Sequence, residues 1–123
     1  MTLVFLSVVS FVRGEIVVAY SLLREAMEIG LALRDRRSAW SLEVLACIEA
    51  ADNHAERAAR LAGAAAAMFE TTGQRPAEQW YRFTSAYIGP AREALGAEAA
   101  TAAWEAGRRF SFEEALAYAL EGE

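Results

Sequence analysis

The sequence predicts an all-α chain, and three observations predict it. Breakers are sparse: Gly14, Asp52-Asn53, Gly73 to Pro76, Gly89-Pro90, Gly96 and Gly107 to Ser111 punctuate a chain of 123 residues. The stretches between them are rich in Ala, Leu, Glu and Arg, which lose little side-chain freedom in a helix, and Ala alone contributes 28 residues. Within those stretches small and apolar residues recur at the helical period, as Ala55, Ala58, Ala59, Ala62, Ala65, Ala66 and Phe69 do. Two starts carry a reciprocal capping signature, Asn53 with Glu56 and Ser111 with Glu114.

The breakers divide the chain into about six or seven helices, over residues 2 to 13, 15 to 33, 38 to 51, 54 to 72, 77 to 94, 97 to 106 and 112 to 120. The first stretch, TLVFLSVVSFV, is apolar almost throughout and stops at Arg13-Gly14-Glu15. It is too short to span a bilayer, which takes about 20 apolar residues, and it lacks the basic start and small-residue cleavage site of a signal peptide. Six of the seven Val residues lie before position 19, so a β-hairpin about Arg13-Gly14 is the competing reading of this region. Leu22 through Leu33 continues in the helical period and favours helices. The fourth stretch turns Glu56, Arg57, Arg60 and Glu70 away from its small-residue face. Gly63 within it costs helix stability, which makes sense where another backbone lies against it. In the fifth, Gly89-Pro90 predicts a kinked or split helix, because Pro lacks the amide donor.

Composition bounds the function. Twelve Arg, no Lys, 15 Glu and 2 Asp give a net charge of −5 with no basic run. That argues against direct contact with nucleic acid, which needs clustered cations to release counterions. A single Cys makes no internal disulfide, so a cytoplasmic location is the default expectation, with no membrane contact. With 55% hydrophobic residues the chain can bury a core as one domain over residues 1–123.

A shift of 39 residues superposes Leu3 on Leu42, Leu6 on Leu45, Val9 on Ile48, Gly14 on Asn53, Ala19 on Ala58, Leu22 on Leu61 and Ala26 on Ala65. Turn residue falls on turn residue and Leu on Leu, which Ala richness does not explain. A further shift is weaker, so the third unit has drifted or acts as a cap. Such a period predicts a short α-solenoid of stacked antiparallel helical hairpins.

The spacing of Gly14, Ala19, Leu23 and Ala26, then of Asn53, Ala58, Ala62 and Ala65, resembles the tetratricopeptide-repeat pattern. From Asp35 onward, and most of all in the closing AARLAGAA, LG and AAWEAGRRFSFEEALAYAL runs, the chain resembles the end of the helical-repeat region in large multidomain bacterial regulators of the LuxR type. Such regulators combine an ATP-binding domain, helical repeats and a terminal helix-turn-helix. The resemblance implies a piece or truncated relative of a transcriptional regulator, a non-catalytic module for protein interaction or effector sensing. This chain departs from the pattern in having no GxxxxGK phosphate loop and no basic recognition helix after Leu120.

The inventory of reactive groups is short. Cys47 and His54 are the one thiol and the one imidazole, and a nucleophile with its base would need them in hydrogen-bond reach with a third, orienting group. A packed Cys and a surface His is the simpler expectation. No catalytic residue, cofactor site or metal ligand set is expected, since one His, one Cys and no HExxH spacing leave only Glu-type oxygen ligands, and nothing in the spacing places several of them together. The aromatic residues are the more informative set. By resemblance to peptide-binding repeats, Trp40, Glu43 and Cys47 turn toward a groove, with Trp80, Arg82 and Tyr87 beside them as contacts for a peptide, small effector or neighbouring domain. Leu3, Phe5, Val8, Val9, Phe11 and Val12 make the first helix apolar nearly all round, so its outer face should meet a partner, a preceding repeat or a second copy. Two alternatives stand beside the interaction module: a small-molecule-binding bundle or small enzyme built on the aromatic cluster, and a purely structural homodimer.

Overall fold

The computed structural model describes residues 2–121. Seven helices and no strand occur among them: α1 (Thr2–Val12), α2 (Ile16–Leu33), α3 (Ser38–Ala51), α4 (Ala55–Thr72), α5 (Glu78–Leu95), α6 (Ala97–Arg108) and α7 (Phe112–Glu121). The N-terminal region is helical, so the hairpin alternative does not hold. Among these residues no helix is long and apolar enough to cross a membrane.

The 39-residue period has a local structural cause at its first two turns. Gly14 and Asn53 both take left-handed backbone, at φ 83° and 65°. Around them the same hydrogen bonds recur one period apart. Glu15 N donates to Ser10 O and His54 N to Glu49 O, each at 2.8 Å, while Ala19 N donates to Glu15 O and Ala58 N to His54 O. Asn tolerates this conformation better than other non-Gly residues, so the Gly-to-Asn match preserves one turn geometry. It also corrects the expected capping box: Asn53 closes the end of α3, the residue before α4 is His54, and no side-chain cap forms there. The second capping box does form, with Glu114 N donating to Ser111 Oγ at 3.1 Å and Ser111 N to Glu114 Oε1 at 2.9 Å.

Helix α3 is the centre of the molecule. It packs against α1, α2, α4, α5 and α7, and every residue from Ser38 to Glu49 except Trp40 is buried. Leu42, Leu45 and Ile48 meet Leu23 of α2, Leu61 of α4 and Leu116 of α7 in the core. From α1 to α6 contacts run between sequence neighbours and, for α1 with α3, α3 with α5 and α4 with α6, between next neighbours. Helix α7 does not extend that series; it turns back onto α2, α3 and α4, burying Phe112, Ala115, Leu116 and Ala119.

Helices α4 and α6 cross backbone to backbone. A Cβ on Gly63 would fall on the backbone carbonyl of Trp104, and one on Gly107 on that of Arg60. Each glycine therefore lies under the opposite backbone, as the helix cost of Gly63 suggests. Helix α5 runs unbroken through Pro90, so the expected split does not occur.

Candidate functional site

The densest polar cluster lies where α3 turns into α4, and it is built on Glu49. This carboxylate belongs to the buried helix and is 2% exposed. Tyr20 of α2 donates its hydroxyl to Oε1 at 3.0 Å, His54 Nδ1 lies 2.8 Å from the same oxygen, and Arg57 Nε donates to Oε2 at 2.6 Å. Burial pushes the Glu49 carboxyl up, but the hydrogen bonds from His54, Arg57 and Tyr20 outweigh it and hold the group below the ordinary carboxylate value. Conversely, burial and then the Glu49 charge raise the Tyr20 phenol, and the hydrogen bond to Glu49 raises the His54 imidazole.

Arg57 carries this network to α7. Its guanidinium donates to the Tyr118 and Ala119 carbonyls, at 3.3 and 2.9 Å, and lies 4.8 Å from the Tyr118 ring centre. Arg24 donates to Leu120 O at 3.0 Å. Carbonyls at the end of a helix lack intrahelical donors, and these two arginines supply them. An open cleft of about 990 Å³ lies over the cluster, lined by Tyr20, Glu49, Asp52, His54 and Arg57 with Glu121 at its edge.

The cluster corrects the expectation that nothing places candidate ligands together. Glu49, Asp52 and His54 bring ligand atoms within 4.8 Å of one another. Both Glu49 oxygens are already engaged and the Arg57 cation occupies the same space, so the donor set suits an ion-pair network better than a metal. Cys47 and His54 are not brought together as partners: the thiol is buried, faces Thr84 O at 3.9 Å, and is pushed up to about 12 by burial and then by Glu43.

The residues expected in a groove separate. Trp40 stacks edge-on between Phe69 and Trp80, with ring centres 5.2 and 5.0 Å apart, and the series continues through Phe83 to Tyr87. Glu43, 8% exposed, accepts a hydrogen bond from the Trp80 indole. Burial raises its carboxyl above the ordinary value against the lowering effect of that bond. Trp40, Glu43, Trp80 and Tyr87 therefore form a packed seam joining α3, α4 and α5. Arg82 stands apart, exposed and paired with Glu78 at 3.0 Å.

The expected outer face of α1 also divides. Phe11 belongs to the core, with its ring 4.9 Å from Tyr87 and 6.5 Å from Phe83, while Leu3 and Val8 are half-buried. Phe5, Val9 and Val12 do face outward, 63%, 50% and 62% exposed, together with Leu6. The inward face instead carries Ser7 and Ser10 beside Val4 and Phe11. Ser7 donates to Val4 O at 2.6 Å, and this bond within the helix satisfies its hydroxyl. Val18, Ile29 and Leu33 of α2 add exposed apolar surface that sequence reasoning did not single out. The Glu49–Arg57 link was missed as well; its signal was one Glu amid the apolar run LACIEAA.

No protein-family model matches the chain, and comparison with curated proteins and with solved structures finds no match.

Proposed function

We propose that the chain is a non-catalytic interaction or effector-sensing module, of the kind that accompanies the helical repeats of LuxR-type bacterial regulators, and that it works in the cytoplasm. The observation that carries this reading is the exposed apolar face of α1, where Phe5, Leu6, Val9 and Val12 meet solvent while Ser7 and Ser10 are buried beside Val4 and Phe11. Burying hydroxyls while exposing larger apolar side chains gives up hydrophobic stabilisation in the isolated chain, and that loss is recovered when the outer face is covered. The repeated αL turn supports the resemblance to tandem helical hairpins. Effector sensing would use the Glu49 cleft, because Arg57 bonds both Glu49 and the last carbonyls of α7. A ligand that drew Arg57 away would loosen α7 by removing those donors, a differential contact of the sort a packing switch requires.

The triple variant Phe5→Ser/Val9→Ser/Val12→Ser tests whether the face is for interaction or for folding. At protein concentrations low enough to keep the chain monomeric, each exposed site should change stability by no more than about 0.5 kcal/mol. Binding of a hydrophobic dye should fall at the same time. Loss of the cooperative thermal transition in the triple variant would assign the face to the core and remove the basis of the proposal.

A further inference from the structure

The apolar face has the dimensions and chemistry of a self-complementary interface. On α1, Phe5, Leu6, Val9 and Val12 fall within one arc of the helix, with Val9 at its middle. On α2, Val18, Ile29 and Leu33 follow helical spacing along one edge, and Ile29 and Leu33 line a cleft together with Leu3 of α1. Scaled by their exposures, these seven side chains present about 700 Å² of accessible apolar surface, against the roughly 800 Å² per partner of a standard stable interface. It also exceeds the apolar patch of a few hundred Å² usual for a monomer.

Charge narrows the occupant. No charged residue lies between Thr2 and Val12, so two copies can bring their α1 helices together without like-charge repulsion, although each chain carries −5. The same facts disfavour an anionic lipid surface, which recruits amphipathic helices through Lys and Arg on their polar face.

Resting on the reading of α1 as an interaction face, we infer that its occupant is a second copy of this chain. The two copies meet about a two-fold axis near Val9, with their α1 helices antiparallel and the exposed Val18, Ile29 and Leu33 edge of each α2 within the contact. An isologous contact places the same patch on both sides, so the residue nearest the axis meets its own counterpart.

Two measurements test this on the whole chain. In sedimentation equilibrium, wild type should weigh about twice its 13.4 kDa, and Val9→Asp/Val12→Asp should weigh 13.4 kDa with an unchanged helical circular-dichroism spectrum. Because the Asp variant could misfold, Val9→Cys supplies a second arm: mild oxidation should give a disulfide-linked dimer, while Val17→Cys, off the α1 face, should not cross-link. A wild type that stays at 13.4 kDa up to millimolar concentration, with no Val9→Cys cross-link, overturns the dimer. So does a monomer that floats with phosphatidylserine vesicles. If the dimer fails but the triple Ser variant keeps its stability, the interaction reading survives with another partner. If the triple variant unfolds, both fail.

Discussion

Replacing Gly107 by Ala tests the α4–α6 crossing, because opposing effects of comparable size meet there. In a free helix interior, Ala would stabilise by about 0.5–1 kcal/mol, chiefly by reducing the freedom of the unfolded chain. At Gly107 the new Cβ would stand 2.8 Å from the carbonyl carbon of Arg60 and 3.0 Å from the amide nitrogen of Ala64. The nearest atom is the Arg60 carbonyl oxygen, which the Cβ would overlap outright; since ordinary contacts are about 3.5–4.0 Å, α6 must back away from α4 by more than about 1 Å. The obstacle is helix backbone, which has no rotamer to change, and overpacking of this sort costs about 1–3 kcal/mol. Overlap with a backbone oxygen puts the cost at the upper end, about 3 kcal/mol, so the net expectation is destabilisation by about 2 kcal/mol, or roughly 6–12 °C in melting temperature for a chain of this length. Thermal denaturation followed by circular dichroism reads it. Gly63→Ala should behave alike, since its Cβ would stand 2.9 Å from the carbonyl carbon of Trp104. The double variant should cost less than the sum, because the first substitution already parts the helices. A Gly107→Ala protein as stable as wild type, or more so, would refute the close crossing.

Glu49→Gln should cost about 3 kcal/mol at pH 7, since it leaves the part-buried Arg57 without its anion, and urea unfolding measures that loss. Because folding lowers the Glu49 pKa, its contribution is complete above the unfolded value near 4.5 and disappears as pH falls through the lower folded value; acid unfolding monitored below pH 4.5 should be correspondingly flatter in the Gln variant. Glu43→Gln should act oppositely. Burial raises that carboxyl, so its ionisation destabilises the fold as pH rises from about 4.5 through the folded value, and the amide, still able to accept from Trp80, should raise the melting temperature at pH 7 but not at pH 4. Ser111→Ala at the start of α7 should cost about 1 kcal/mol by removing a formed cap, whereas Asn53→Gly should be neutral or stabilising by equilibrium unfolding, because position 53 is a left-handed turn after α3.

Much of the fold is legible in the sequence because local chemistry decides it. Gly14, Gly73 and Gly96 take positive φ at helix ends, and the capping pair Ser111/Glu114 fixes the start of α7. Gly63 signals a backbone approach through its helix cost, and the 39-residue match of Gly14 with Asn53 proves to be a shared turn. What escaped depends on contacts distant in the chain. Which side of α1 faces inward is not encoded by a helix apolar all round; Val4, Ser7, Ser10 and Phe11 turn inward, and Phe5 and Val9 outward. In sequence Glu43 reads as a groove contact and Glu49 does not stand out, because their partners, Trp80 on α5 and Tyr20 on α2, lie 37 and 29 residues away. The return of α7 onto α2 has no local signature, since it rests on Leu116 entering the core and on Arg57 and Arg24 meeting its last carbonyls.

The most direct test of α1 as an interface between copies is amide hydrogen exchange over Thr2–Val12, recorded by mass spectrometry at protein concentrations from 1 µM to 500 µM. If the exposed face is an interface between copies, protection of this segment rises with concentration while that of the buried helix Ser38–Ala51 stays constant. Exchange of Thr2–Val12 that is independent of concentration across that range would contradict it.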